Sequence, residues 1–400
     1  MTVQTVRPVA DLLPAEALTF GIEEEFFLVD LRTGRAPTRV PKAFVKTCQR
    51  RLGEAVKFEM LQSQVELVSP VFTDSQTALQ TMTSLRAQLA EIAEAMQFGI
   101  IACGSHPLAH WYQQAHTEKP RYRRIAEEYQ IVGARDLLCG LHVHVAVPEG
   151  DRVRLMNRLM PWLPLFLALS TSSPFWNLRR TGLYAYRQSV YAEWPRAGIP
   201  DFFEDDADYE RFIAILQRAG SIEDGSELWW ALRPSPRYPT IELRIADSCT
   251  RVEDTIALAI LFRCLVSAHL RLPQLGASRS SATRRLIEEN RWRAERHGIE
   301  AQFIDEAGDR TIAVAELVDR ALDLTAPDAR ILDPYDAMRT LRTILVRGTS
   351  AHEQLQVYDV ARSGGANHRE ALRAVVFRLL EATDPARSPH AVLGTMPKAG

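Results

Sequence analysis

The sequence has few of the residues that mark several common protein classes. Only five of its 400 residues are cysteine (Cys48, Cys103, Cys139, Cys249 and Cys264), and they are widely spread and never in CxxC spacing. That excludes a disulfide framework and a cysteine-ligated zinc site, and it points to reduced thiols and a cytoplasmic protein. No stretch reaches the ~18 consecutive apolar residues of a membrane helix. The longest apolar segment, Leu155 to Ser170, carries Arg158 and two prolines. The first twenty residues contain acids and no apolar core, so no secretory signal is expected. Basic excess is absent as well: 48 Lys+Arg against 50 Asp+Glu leave a net charge of -2, which argues against a nucleic-acid or membrane surface. Lysine is scarce among the basic residues, which reads as coding bias. Neither GxxxxGK[ST] nor GxGxxG occurs, so a P-loop or dinucleotide-binding route to nucleotides is not expected.

What remains is an ordinary soluble composition, 46% hydrophobic and 24% charged. Thr19–Asp30 reads as a strand running into the turn Arg32-Thr33-Gly34-Arg35, and Val56–Val68 as a second extended segment. Asp74 is placed to cap a helix through Gln97, Gly99–Cys103 is a short strand, and Leu137–Val147 alternates as another. Leu155–Leu169 reads as a buried helix and 171–204 as a long loop rich in Pro, Trp and Tyr. Glu227–Leu232 and Tyr238–Asp247 form a strand pair. From residue 252 the pattern is helical, over 252–271, 280–297, 310–324, 336–346, 350–362 and 367–381. Strands scattered among helices without a βαβα rhythm give α+β with a mainly antiparallel sheet. We expect one catalytic domain over 1–382, strand-rich over 18–250 and helical over 251–382, followed by a flexible tail at 383–400.

The polar residues of these strands fall in phase. In Gly21-Ile-Glu-Glu-Glu-Phe26 a period of two puts Glu23 and Glu25 on one face and Glu24 on the other. Two carboxylates on a buried strand repel, so they need a cation, arginines or solvent; hard Mg²⁺ or Mn²⁺ takes oxygen ligands. Gln62, Gln64 and Glu66 share a face of the second segment. Glu59, seven residues from Glu66, can join them only if it precedes the strand or a bulge intervenes. His142 and His144 share a face in a spacing that suits metal ligands and equally suits hydrogen-bonded pocket histidines. Glu242 and Arg244 share the polar face of the last strand, an acid beside a fork-shaped guanidinium. Four such strands describe an acid-lined sheet face able to hold two or more divalent ions, and such ions around a polyphosphate mean phosphoryl transfer.

GIEEEF, the Phe58–Leu67 stretch, CGLHVHV, SSPFW (Ser172–Trp176), TGLYAYR (Thr181–Arg187), WPRAGIPDFF (Trp194–Phe203), WWALRPSPRYPTIELRIAD (Trp229–Asp247), ENRWRAERHG (Glu289–Gly298) and GTSAHEQ (Gly348–Gln354) together resemble the glutamate–cysteine ligase superfamily. The match is to its bacterial carboxylate–amine ligase branch, glutamate–cysteine ligase type 2, and spans about residues 18–382. The resemblance implies a curved antiparallel sheet with helices packed outside, similar to the catalytic domain of glutamine synthetase. It also implies an ATP- and Mg²⁺-dependent reaction in which the side-chain carboxylate of glutamate is phosphorylated and then attacked by an amine such as cysteine. By the same resemblance Glu23, Glu25, Glu59, Glu66, His142 and Glu242 hold metal. Glu59 stands where other members have Asp, and His144 is a further metal or nucleotide contact. Arg244 and Glu66 act in catalysis, and Arg187, Arg233 and Gln64 bind substrate. A guanidinium of Arg187 or Arg233 stacked on Trp194 or Trp230 is the alternative to a carboxylate clamp. A metal-dependent amidohydrolase and a non-catalytic metabolite-binding relative are the alternative functions. A homodimer is expected from the base rate for soluble enzymes.

Overall fold

The structure is a computed structural model that describes residues 12–148, 150 and 152–387. The expected tail therefore falls, from residue 388 on, outside the described residues, as do residues 1–11 of the segment searched for a signal.

Seven strands form the main sheet: β1 (Phe20–Asp30), β2 (Val56–Phe58), β3 (Gln64–Val68), β4 (Phe98–Ile101), β5 (Leu141–Ala146), β6 (Leu232–Pro234) and β7 (Thr240–Leu243). The spatial order is β6-β7-β5-β1-β3-β2, with β4 pairing the far half of β1, and every pairing is antiparallel. The α+β class with an antiparallel sheet is therefore the one observed. β1 ends where the Asp30 carboxylate accepts from the Thr33 backbone N–H at 2.7 Å and Gly34 takes φ 73°, a left-handed turn position open to glycine.

Period two sorts the strand residues. One face carries Ile22, Phe26, Leu28, Val65, Leu67, Val143, Val145, Ile241 and Leu243, all buried. It packs against α1 (Lys42–Leu52), α2 (Ser75–Glu94) and α8 (Val252–Arg271). Asp74 caps α2 as expected, accepting from Thr77 N at 2.7 Å. α8 is buried along nearly its whole length, and its Arg263 serves as an internal clasp, donating to the carbonyls of Ala15, Leu18, Thr73 and Leu332. Glu24, the acid on this apolar face, is 1% exposed and is held by Arg86 of α2 (2.5 and 3.0 Å) and by the Thr255 hydroxyl at 2.6 Å.

Several expectations are revised. Val56–Val68 is a hairpin, β2 and β3 joined through residues 59–63, because the polar run Gln62-Ser63 turns the chain. Gln62 lies in that turn, donating to His116 O and accepting from Val40 N, so it does not share the polar face with Gln64. The apolar helix is two helices, α4 (Arg152–Leu159) and α5 (Leu163–Ser170), split by a 3₁₀ turn because Pro161 and Pro164 cannot supply the N–H groups of a continuous helix. The 171–204 stretch contains α6 (Tyr186–Tyr191) and buried Phe175 and Trp176, so it is packed wall rather than open loop. Residues 310–313 form a strand paired with Gln302–Asp305, and the following helix starts at Val314. α3 (Pro120–Ala134), unpredicted, has Gln130 at φ 47°, which breaks its pattern. All five cysteines are buried and unpaired. Among the described residues no helix is long and apolar enough to cross a membrane.

Candidate active site

The polar face of the sheet is the floor of a cavity of about 400 Å³. Strand register builds its floor in a continuous band. Arg233 on β6 faces Glu242 on β7, Glu242 faces His144 on β5, and His142 faces Glu23 on β1. Beyond them Glu25 faces Glu66 on β3, and Glu66 faces Lys57 on β2. Glu59 follows β2 directly, and the hairpin, rather than a bulge, brings it back to the acids of β1 and β3. Eleven of the residues singled out in the sequence line this one cavity: Glu23, Glu25, Glu59, Gln64, Glu66, His142, His144, Arg187, Arg233, Glu242 and Arg244.

The donors fall into three adjoining sets whose ligand atoms lie within 4.8 Å of one another: Glu23–His144–Glu242, Glu23–Glu66–His142 and Glu25–Glu59–Glu66. His142 Nδ1 is 3.4 Å from Glu23 Oε2, and His144 Nε2 is 3.6 Å from Glu23 Oε1 and 3.8 Å from Glu242 Oε1. His144 Nδ1 is occupied by the Thr240 hydroxyl at 3.0 Å, while its buried Nε2 has no hydrogen-bond partner. That nitrogen is the atom a metal would take.

Charge is unbalanced at the third set. Burial, with Glu25 and Asp136 nearby, pushes Glu59 up to about 8. Burial and the neighbouring acids Glu59, Glu23 and Glu25 raise Glu66 well above the ordinary carboxylate range. Asp136 is pushed up to about 7 by burial and by Glu25. At the other end burial works against ionisation of Glu242, but Arg244, Arg233 and the two histidines outweigh it and hold the carboxyl low. Carboxylates and imidazoles in this density fit hard divalent cations, with Mg²⁺ or Mn²⁺ as the matching chemistry.

The guanidiniums have distinct surroundings. Arg233 gives two donors to Glu242 (2.8 and 3.3 Å) and one to the carbonyls of Ser226 and Leu228, so it fixes that acid. Arg244 donates to Glu242 at 2.5 Å and to the Tyr191 hydroxyl at 3.3 Å, while its Nε has no partner. Arg187 lies over the ring of Tyr191 at 5.2 Å, rather than over Trp194 or Trp230, and reaches the Ala246 carbonyl at 3.2 Å. Its Nε is buried without a partner. Gly140 lets it sit there: a Cβ at 140 would meet Arg187 Cζ at 2.9 Å. The Gly140 N–H also donates to Glu25 at 2.5 Å. Gln64 donates to the Leu138 carbonyl.

The sequence left the other wall unread. Lys119 and Tyr122 from the start of α3, Asp136 after it, and Tyr191, Trp194, Trp229 and Tyr238 all line the cavity. Of these only the Trp229-Trp230 doublet and the aromatic density of 171–204 carried any signal.

Solved structures share this frame. The crystal structure of a glutamate–cysteine ligase from Francisella tularensis in complex with AMP aligns with TM-score 0.66 at 12% identity, covering 92% of this chain and 89% of that one. A bifunctional glutathione synthetase from Pasteurella multocida aligns with TM-score 0.68 at 12% identity, covering 92% of this chain and 53% of that one. At such identity the likeness is one of fold, and it defines the class: a glutamine-synthetase-like α+β ligase fold.

The sequence comparison is more specific. The profile of Glutamate-cysteine ligase family 2 (GCS2) matches residues 19–377. A protein of Ectopseudomonas mendocina named "Putative glutamate--cysteine ligase 2" is 46% identical over 368 residues, 92% of this chain and 97% of that protein. One of the same name from Rhodospirillum rubrum is 41% identical over 372 residues, 92% and 96% of the two chains. The chain belongs to glutamate-cysteine ligase family 2 and is an enzyme of the ligase class.

Proposed function

We propose that the chain is an ATP-dependent carboxylate–amine ligase. It would join the side-chain carboxylate of glutamate to an amine, cysteine or another, through an acyl phosphate, releasing ADP and phosphate. The observation that carries this reading is the run of three adjoining donor sets ending at Glu242 between Arg233 and Arg244.

Glu23, Glu25, Glu59, Glu66, His142, His144 and Glu242 would hold two or more Mg²⁺ or Mn²⁺ ions, which when bound neutralise phosphate charge and orient the reacting groups. The remaining chemistry belongs to the chain. Arg233 holds Glu242 in place, and the spare Nε of Arg244 is available to an oxygen of the transferring phosphoryl group. A donor carboxylate oxygen attacks the γ-phosphorus, and the bond to ADP breaks. The amine nitrogen then attacks the acyl carbon, and phosphate leaves with the electron pair of the C–O bond as the amine sheds its protons. Arg187, with its spare Nε, and Gln64 flank the position of the donor. Tyr191 and Trp194 in the packed 171–204 wall shield the acyl phosphate from water. Five buried, unpaired cysteines support a reducing, cytoplasmic setting, and a homodimer is the proposed assembly.

A phosphate-release screen of the purified protein with Mg-ATP, crossing amino-acid donors with an amine panel, tests the reading. Phosphate appearing only with Mg²⁺, a glutamate-type donor and an amine supports it. Zinc-dependent amide hydrolysis without nucleotide would replace it with the amidohydrolase reading.

A further inference from the structure

The cavity is chemically divided. Its cationic end, Arg233 and Arg244 around Glu242, suits anionic phosphate. Another part of its lining is a small apolar cluster separate from the main cores: Met60, Ile125 and Trp194, each 6–7% exposed, with Tyr122 and Trp229 packed on them. All five contribute to the cavity lining. Trp194 and Trp229 contact each other with ring centroids 4.8 Å apart, and Tyr129 backs both at 5.1 and 5.4 Å. These rings are therefore fixed before any ligand arrives, which favours binding by reducing its ordering cost.

Asp136 lies at this wall. It lines the cavity beside Trp194, whose buried indole N–H has no hydrogen-bond partner, and it belongs to none of the three donor sets. Once cations neutralise those sets, it is the cavity acid left over to meet an ammonium group. An acid beside rigid aromatic and aliphatic walls matches an amine with an apolar body: the charged head on the carboxylate, the body on the rings.

We propose that Asp136, Trp194, Trp229, Tyr122, Ile125 and Met60 form the acceptor subsite, and that the acceptor is a primary amine bearing an aromatic or large apolar group. This inference rests on the ligase reading. Cysteine fills little of such a surface, and its thiol finds no dedicated partner among these six side chains.

The test compares phenethylamine, ethylamine and cysteine as acceptors with saturating Mg-ATP and glutamate, in the native chain and in Asp136→Asn and Trp194→Phe. The expected result is that phenethylamine has the highest kcat/KM, by about tenfold or more over ethylamine. Asp136→Asn is expected to raise the amine KM at least about tenfold, leaving the KM for ATP and glutamate in place. Unchanged ATP KM also shows that the variant is folded, and Trp194→Phe, which keeps a ring, should raise KM for phenethylamine more than for ethylamine. Cysteine or ethylamine performing as well as phenethylamine, or an amine KM untouched by both variants, overturns the subsite while the ligase reading stands. Absence of phosphate release with every amine overturns the ligase reading and the inference with it.

Discussion

Glu25 stands directly across from Glu66 in the antiparallel pairing of β1 and β3, two carboxylates as cross-strand neighbours with Glu59 completing the group. Like charges placed opposite on a sheet destabilise it. Burial and the acids around it raise Glu66 well above the ordinary carboxylate range, so the ionised group costs the metal-free fold stability that a bound divalent cation would restore. Mg²⁺ or Mn²⁺ added to chelator-treated protein is expected to raise Tm. Glu66→Gln is expected to raise the apo Tm, by about 1 kcal/mol of stability, and to remove most of the metal response. Differential scanning calorimetry with and without EDTA checks this; a Glu66→Gln protein less stable than the native apo form would oppose it.

Glu24, one residue away, has the opposite role. Its carboxylate and the Arg86 guanidinium are at 1% and 0% exposure, joined by two hydrogen bonds. Removing one member leaves the other charge buried alone, so Glu24→Gln is expected to cost about 3–5 kcal/mol in urea unfolding. Loss below about 1 kcal/mol would mean that the pair is not the anchor between β1 and α2.

Two buried histidines set an acid limit. Burial pushes His106 down to about 3 and His269 down to about 4. In the unfolded chain both titrate near 6.5, so the unfolded state binds more protons between pH 6.5 and 4. Their stabilisation is complete above 6.5 and is lost as pH falls through that window. Asp247 and Glu295, raised to about 6 and 7, act in the opposite sense, so the difference between proteins is the clean readout. Native protein should lose ground to His269→Gln by about 1.4 kcal/mol per pH unit across the window. Parallel stability–pH curves would contradict it.

Gly140 carries a steric prediction. A methyl group there meets the Arg187 guanidinium, so Gly140→Ala displaces it. The donor KM is expected to rise about tenfold or more in steady-state assays, with ATP KM less affected. Equal changes in both would place Arg187 elsewhere in the reaction.

The phase of each strand was legible because period two is a local property: Glu23 with Glu25, His142 with His144, and Glu242 with Arg244 all follow from it. Resemblance then supplied their common purpose. Glu59 was a different matter, since its approach to Glu66 depends on a turn through residues 59–63 that Gln and Ser mark only weakly. α3 was missed although Tyr122, Ile125, Tyr129 and Val132 recur at helical spacing, because mostly charged and polar residues fill the positions between them and leave a narrow apolar stripe. Asp136 lies in a connecting segment, where neither period nor motif announces a side chain that tertiary packing turns into the cavity. The prolines at 161 and 164 are plain in the sequence, yet whether they kink or split a helix is decided by packing.

The proposed reaction turns on an acyl phosphate formed on the donor carboxylate. Its most direct test uses glutamate labelled with ¹⁸O in the side-chain carboxylate, incubated with Mg-ATP and a competent amine, with phosphate and nucleotide examined by mass spectrometry. The expected products are ADP and inorganic phosphate carrying one ¹⁸O from the donor. Unlabelled phosphate, or AMP with pyrophosphate, would contradict it.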